Sequence, residues 1–249
     1  MKYDSLGQRM KRYEAVSKNT LMTRTPVIIR CDGRAFHTFT RHLNKPFDNV
    51  FMNSMIQTME TMCSGIQNCI FAYTQSDEIT FVLKDYEQIN TSAWFDNEVQ
   101  KLCSISSSMA TFYFNKFFQE NAKRFITTEP NSEYSLTLLK CIEAPALFDS
   151  RAFNIPKDEV VNLIYWRQLD AVRNSILSYG QTKYTQKQLH KASCEVIKEM
   201  LRQDNTPWEN LPIYKQRGTA CKREEKQWIT DYCMPLLLKE KREYLEELL

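Results

Sequence analysis

Two runs rich in β-branched and aromatic residues, CIFAYT (69–74) and ITFVL (79–83), are separated only by Gln75, Ser76, Asp77 and Glu78. Runs of this kind joined by so short a polar link predict an antiparallel hairpin. The segments on either side of that hairpin restrict what it can pack against. Before it, TPVIIRCDG predicts a strand closed by an Asp-Gly turn, and Phe51, Met55, Met59, Met62 and Ile66 recur at spacings of four, four, three and four, one apolar face of a helix. After it, Val99, Leu102, Ile105, Met109 and Phe112, with Trp94 near the start, predict a second helix, and YSLTLLKCI (134–142) predicts the last strand. The order β-α-β-β-α-β is that of the ferredoxin-like or split βαβ fold, an α+β arrangement in which two helices back an antiparallel sheet. The methionine-rich stripes are then core against that sheet, not a cofactor box.

The pattern changes after APALFDSRAFNIP, which places a soft boundary near residue 145 between a palm-like domain (1–145) and a mainly helical region (146–249). KDEVVNLIYWRQLDAVRNSILSYG predicts a helix stopped by its Gly, and TQKQLHKASCEVIKEMLRQ a second helix with Leu189, Val196 and Met200 facing inward. The segment around PWENLPIYKQRGTACKREE reads as loop or strand, and the leucine-rich C-terminus is compatible with assembly.

Composition narrows the class further. Of 249 residues, 43% are hydrophobic and 25% charged, as in ordinary globular domains. No run reaches the length of a membrane span, and MKYDSLGQRMKRYE has no apolar signal-peptide core, so the expected location is the cytoplasm. Eight scattered cysteines without a C-x-x-C pair predict free, mostly buried thiols, and three dispersed histidines do not make a metal cluster. The formal charge of +3 is compatible with an acidic metal centre offset by a basic substrate face.

Asp77 and Glu78 are the unusual feature of the hairpin. Adjacent carboxylates repel, and neither is buried cheaply without a cation or a proton. A solvated turn is the ordinary reading of an isolated Ser-Asp-Glu. A second carboxylate changes this, because Asp32 ends the first strand, which the topology is expected to place beside the second strand. Two carboxylates converging at one sheet edge bind hard divalent cations, Mg²⁺ above all, and a pair of such ions serves nucleotidyl transfer in polymerase and cyclase palms.

RCDGRAFHTF and NKPFDN, followed by AYTQSDEITFVL and WRQLDAVRN, closely resemble the tRNA-histidine guanylyltransferases and their Thg1-like relatives, from about Asp4 to about Gly218. The resemblance implies 3′-to-5′ nucleotide addition to the 5′ end of tRNA, with two Mg²⁺ ions on Asp32 and Asp77 helped by the Gly33 carbonyl. Glu78 would be a neighbouring catalytic acid. ATP and GTP or another nucleoside triphosphate are the implied substrates, tRNA the partner, and a homotetramer the assembly. The nucleotide would lie along Asp32, Gly33, Arg34, Ala35, Phe36 and His37 and at Ser76, Asp77 and Asp48. Lys45, Lys101 and Arg30 would handle phosphates as point charges beside a polyanion. A basic face of Arg167, Arg173, Asn174, Lys183 and Lys187 would meet the tRNA.

One segment departs from that pattern. The guanylyltransferases proper carry His-Ile-Asn-Asn-Leu-Tyr-Asn after Trp-Arg-Gln, where this chain has VRNSILS, with Val172 in place of the His. The expectation is therefore templated repair of truncated tRNA 5′ ends, the alternative being addition of a single guanylate to tRNA-histidine. A nucleotidyl cyclase shares the palm but needs no RNA surface. A non-catalytic RNA-binding module shares the strand order but reads bases with sheet aromatics.

Overall fold

The structure, a computed structural model, describes residues 5–225 and 227–249; Asp4, where the family resemblance begins, lies outside them. The chain runs through α1 (Leu6–Ala15), β1 (Val27–Gly33), α2 (Phe36–Phe39), α3 (Asn49–Gly65), β2 (Cys69–Gln75), β3 (Glu78–Leu83), α4 (Val99–Thr128), α5 (Glu133–Glu143) and β4 (Phe148–Asn154). Beyond β4 come α6 (Val160–Gln181), α7 (Gln186–Leu189), α8 (Cys194–Gln203), α9 (Ile213–Arg217), β5 (Thr219–Glu224), β6 (Gln227–Asp231) and α10 (Glu243–Glu246).

The first four strands form an antiparallel ferredoxin-like sheet in the order β4-β1-β3-β2, and β5 and β6 extend it beyond β2. The expectation that β1 lies beside β2 is corrected: β3 lies between them, so β1 meets the hairpin through β3, with Asp32 opposite Glu78. The crossover through α3 leaves a gap between two parallel strands, and the returning hairpin strand fills it.

The last palm strand also moves. Tyr134–Ile142 is helical, within α5, where Ser132 caps the N-terminus by accepting from the Ser135 amide. A Ser N-cap followed by helix-forming residues outweighs the modest β tendency of that run. The strand is Phe148–Asn154 instead, a polar edge strand beside β1. The sheet thus takes three of its six strands from beyond residue 145, and that region is strand as well as helix.

Strand alternation divides the packing between two faces. Val27, Ile29 and Cys31 of β1 and Ile79, Phe81 and Leu83 of β3 pack against α3 and α4, where Phe51, Met55, Met59, Met62 and Ile66 are all buried. Ile28, Phe71, Tyr73 and Val82 face the other way, onto Val160, Val161 and Ile164 of α6. The α4 stripe differs from its expected face: Leu102, Ser106, Ala110, Phe114 and Phe118 are buried, while Ile105 and Phe112 are exposed. Small residues at Ser106 and Ala110 permit close approach to β4, where Ser106 and Ser150 share a hydrogen bond at 2.7 Å.

Further along, α6 continues past its expected stop, because Gly180 is buried within the helix against Ile197 of α8. The second predicted helix is broken into α7 and α8, and Ile197 and Leu201 point inward while Val196 is exposed. All eight cysteines are free, with Cys31, Cys63, Cys69 and Cys221 buried.

Gly218 joins α9 to β5 with φ 85°, and a Cβ there would stand 2.6 Å from the Thr74 carbonyl and 2.7 Å from the Tyr73 hydroxyl. Tyr73 is buried and donates to the Arg217 carbonyl at 2.6 Å, so it has little freedom to yield. Positive φ alone costs a side chain about 1–2 kcal/mol, and the clash adds to it. Gly218→Ala is expected to lower stability by about 3 kcal/mol in urea unfolding; a loss below about 1 kcal/mol would show that this junction relaxes freely.

Candidate active site

The open end of β1 and the tip of the β2–β3 hairpin are tied together by backbone. The Gly33 amide donates to the Asp77 carbonyl at 3.0 Å, and the Thr74 hydroxyl donates to the Glu78 carbonyl at 2.9 Å. These bonds hold Asp32 and Asp77 at the same mouth. Two non-glycine residues at this mouth adopt left-handed backbone, Ala35 (φ 56°) and Ser76 (φ 50°). Such strain persists only where surroundings enforce it. Part of that enforcement comes from Phe36, buried against Phe39, Phe51, Phe114 and Phe148 with ring centroids 5.0–6.0 Å away. An ideal Cβ on Gly33 would lie 2.3 Å from the Phe36 ring, so the loop closes this tightly only with glycine there.

A cavity of about 620 Å³ opens from this mouth between the sheet edge, the loop before α3, α6 and α9. Asp32, Gly33, Ala35, Phe36 and His37 line it, as do Lys45, Asp48, Ser76, Asp77 and Asn174. Burial pushes the Asp77 carboxyl above the usual carboxylate range; the Ser76 hydroxyl, donating at 3.0 Å, pulls it partly back, and the Asp32 charge pushes it further up. No cationic side chain pairs with Asp77 among the described residues. Among the described residues the cation paired with Asp32 is the Arg151 guanidinium, at 3.7 Å, which Asp32 shares with Asp149 at 3.4 Å.

This donor set fits a hard divalent cation. It offers carboxylate oxygens and a nearby backbone carbonyl, with no nitrogen or sulfur ligand needed. Among the described residues no group of three or more His, Cys, Asp and Glu side chains makes a protein-only cage. Mg²⁺ commonly binds through one or two carboxylates, with water and substrate phosphates completing its shell.

Several expected site residues are employed differently. Glu78 is buried, and its Oε1 accepts from Arg167 Nε at 2.8 Å and from the Thr80 hydroxyl at 3.3 Å. Burial raises its carboxyl above the usual range, while Arg167 opposes that shift. Arg167 cannot form part of a tRNA-facing surface, because it is buried between Glu78, Asp170 and the ring of Trp166. Arg30 likewise turns to Glu78, 3.8 Å away, and does not line the cavity.

Asp48 caps α3, accepting from the Phe51 and Asn44 amides at 2.9 Å and from the Tyr134 hydroxyl, so its oxygens are engaged at the cavity wall. Lys101 stands outside the cavity, half-exposed and paired with Glu98 at 3.5 Å. Arg34 is exposed, and so are Arg173, Lys183 and Lys187.

The sequence reading missed the far wall of the cavity. Tyr214 and Lys215 of α9 line it, and Lys215 Nζ lies 5.8 Å from the rings of both Phe47 and Tyr214. Ser175 and Ser178 join Asn174 there, from the VRNSILS segment. Val172 of the same segment packs toward Ile176, Ile197 and Leu201. The signal for the α9 wall is weak in sequence, an aromatic and a lysine between Pro212 and Gly218.

Comparison with known proteins gives the chain a family and a fold. The family profile described as tRNAHis guanylyltransferase (Thg1) matches residues 7–156. A bacterial tRNA(His) guanylyltransferase (Thg1)-like protein in complex with ATP is similar in structure, with a TM-score of 0.84 and 35% identity over 98% of this chain and 99% of that one. A complex of such a bacterial protein with GTP gives 0.77 and 33%, over 98% and 99% of the two chains. An uncharacterised protein of Acanthamoeba polyphaga mimivirus is 28% identical, over 89% of this chain and 78% of its own. Among the described residues no helix is long and apolar enough to cross a membrane. The matched segment carries both carboxylates and most of the sheet that aligns them: the chain belongs to the tRNAHis guanylyltransferase family and is a nucleotidyltransferase.

Proposed function

We propose that this chain extends the 5′ ends of truncated tRNAs by templated 3′-to-5′ addition. The observation that carries this reading is the placement of Asp32 and Asp77 at one cavity mouth, with Lys45 on the same cavity. Asp32, Asp77 and the Gly33 carbonyl would hold Mg²⁺, which when bound supplies charge neutralisation on phosphates and activation of an attacking hydroxyl. The bacterial relatives with ATP and GTP support nucleoside triphosphates as the substrates. The protein's own residues position these groups. Lys45, exposed at the cavity and donating to the Thr40 carbonyl at 2.8 Å, presents positive charge to a triphosphate. Lys215 of α9 offers a second cation lining the same cavity.

The chemistry requires two polyanions at once. The incoming triphosphate contributes its 3′-hydroxyl, and the RNA contributes an electrophilic 5′ phosphate. A 5′ monophosphate lacks a leaving group, so ATP must first adenylylate it; pyrophosphate leaves then, and AMP leaves when the new phosphodiester forms. Neither step reads a base, so choice falls to pairing with the facing strand. Val172 in place of the family histidine supports this reading over addition of one fixed guanylate. Exposed Arg173, Lys183 and Lys187 around α6 and α7 supply the tRNA-facing charge. The homotetramer belongs to the same reading and would cover exposed apolar side chains of α4 and α5 such as Phe112 and Leu136.

The test uses tRNAs lacking their first nucleotide, with the facing base varied through all four identities. Incorporation should follow the complement by about tenfold or more, equivalent to about 1.4 kcal/mol of discrimination. Guanylate addition whatever the facing base, confined to tRNA-histidine, overturns the templated reading.

A further inference from the structure

Between β1, β3 and α6 lies a polar chain, buried at Glu78 and Arg167 and open at Asn174, that nucleotide addition by Asp32 and Asp77 does not itself require. Glu78, 6% exposed, receives the Arg167 Nε hydrogen bond at 2.8 Å, and Arg167 is 8% exposed. The other end of the guanidinium, Nη2, donates to Asp170 at 3.0 Å, and Asn174 Nδ2 donates to the same carboxylate oxygen at 3.4 Å. Asn174 lines the cavity, and Glu78 is the residue after Asp77. A continuous polar path therefore runs from the cavity wall on α6, through Asp170, Arg167 and Glu78, to the turn that carries Asp77.

We propose that Arg167 and Glu78 are a positioning pair: the hydrogen bond from Arg167 Nε to Glu78 fastens the Asp77 turn to helix α6, and Glu78 is withheld from the cation rather than supplied to it. This rests on the reading of Asp32 and Asp77 as the cation's carboxylates.

Three features carry the proposal. Both Glu78 oxygens face groups of the chain itself, Oε1 meeting Arg167 and Thr80, and Oε2 facing Arg30 at 3.8 Å. A cation that recruited Glu78 would break the buried Arg167 Nε hydrogen bond and leave the guanidinium with Asp170 alone, which is costly. The Arg30 Nε is buried and has no hydrogen-bond partner, so Arg30 compensates charge without fixing direction. Direction comes from Arg167, whose guanidinium bridges two carboxylates and rests 4.6 Å from the Trp166 ring centre. A lysine ammonium lacks the fork that makes such a bridge.

The experiment measures Mn²⁺ binding to the full chain by the electron paramagnetic resonance signal of the free ion, in the wild type and four variants. Asp77→Asn is the control for the cation site itself. Glu78→Gln keeps an acceptor for Arg167 and is expected to bind Mn²⁺ within about threefold of the wild type. Arg167→Met is expected to bind about tenfold more weakly, the usual scale for losing a group that orients a ligand. The double variant Arg167→Met/Glu78→Met removes both charges, which commonly preserves folding, and is expected to show the same tenfold loss with a native-like circular dichroism spectrum. Wild-type Mn²⁺ binding in the double variant overturns the proposal. So does a loss in Glu78→Gln as large as in Asp77→Asn, since Glu78 would then be a ligand. Wild-type binding in Asp77→Asn overturns the cation reading as well, which separates the two failures.

Discussion

Asp77→Asn is expected to reduce nucleotide addition by about 10³-fold or more, while leaving the cation-free protein as stable as the wild type or more stable at neutral pH. The first effect follows from losing a carboxylate on which metal assistance worth several kcal/mol depends. The second follows from the direction of its pKa. Burial raises the Asp77 carboxyl above its value in the unfolded chain, so the folded protein binds that proton more tightly. Its contribution therefore favours folding at low pH and is lost as pH rises through the folded pKa. An asparagine has no such loss, so the variant's thermal midpoint should fall less than the wild type's between mildly acidic and neutral pH. Mg²⁺ should raise the wild-type midpoint at pH 7 and leave that of Asp77→Asn unchanged. Asp32→Asn should lose activity on the same scale, because it faces the same mouth. Full transfer activity in either variant would sink the assignment of these carboxylates to the reaction.

The contrast between the two acids of the hairpin shows where sequence reading stops. Ser76, Asp77 and Glu78 form one polar interruption, and nothing in their spacing separates a cavity carboxylate from a buried partner of arginine. Strand alternation makes the distinction. Glu78 starts β3 on the face that α6 covers, so its side chain meets Arg167, a residue 89 positions away in the chain. Long-range ion pairs of this kind leave no local periodicity. The α3 stripe was legible because its buried face is built from large apolar residues. The α4 face was not, because contact with β4 needs small side chains, and Ser106 and Ala110 do not register as hydrophobic.

The edge strands were obscured for a related reason. The fourth strand, FDSRAFN, is mostly polar at a sheet edge and has no clean alternation, whereas the more apolar LTLLKCI forms a capped helix. In β5 the charged Arg223 and Glu224 are exposed, and β6 has no buried residue along QWITD, which masks the strand pattern. The family motifs located the cavity mouth well, because its residues sit in short contiguous stretches. The α9 wall with Tyr214 and Lys215 reaches the cavity only through the junction at Gly218 and the pairing of β5 with β2. Folding, not motif, brings it there.

The two lysines read together from the sequence should behave differently. Lys45→Ala is expected to slow nucleotide addition by about 10²- to 10³-fold, the usual scale for removing one contact to charge that develops in a transition state. Lys101→Ala should stay within about threefold of the wild type, because the half-exposed Lys101 lies outside the cavity and Glu98 keeps Lys18 as a partner. Position decides this. Lys45 lies on the cavity shared by Asp32 and Asp77, and its ammonium is tethered to a neutral acceptor, the Thr40 carbonyl, which an anionic phosphate oxygen can replace. Lys101 is on α4 outside the cavity, and its ammonium already faces Glu98, which also binds Lys18 at 3.1 Å. The loss in Lys45→Ala should appear in both steps, adenylylation and transfer, because each passes a triphosphate or an activated 5′ phosphate through the same cavity. Single-turnover rates with 5′-monophosphate and 5′-triphosphate tRNAs separate the steps. A Lys101→Ala defect as deep as that of Lys45→Ala would mean that α4 moves its N-terminus onto the substrate, and the cavity described by these residues would then be only part of the site.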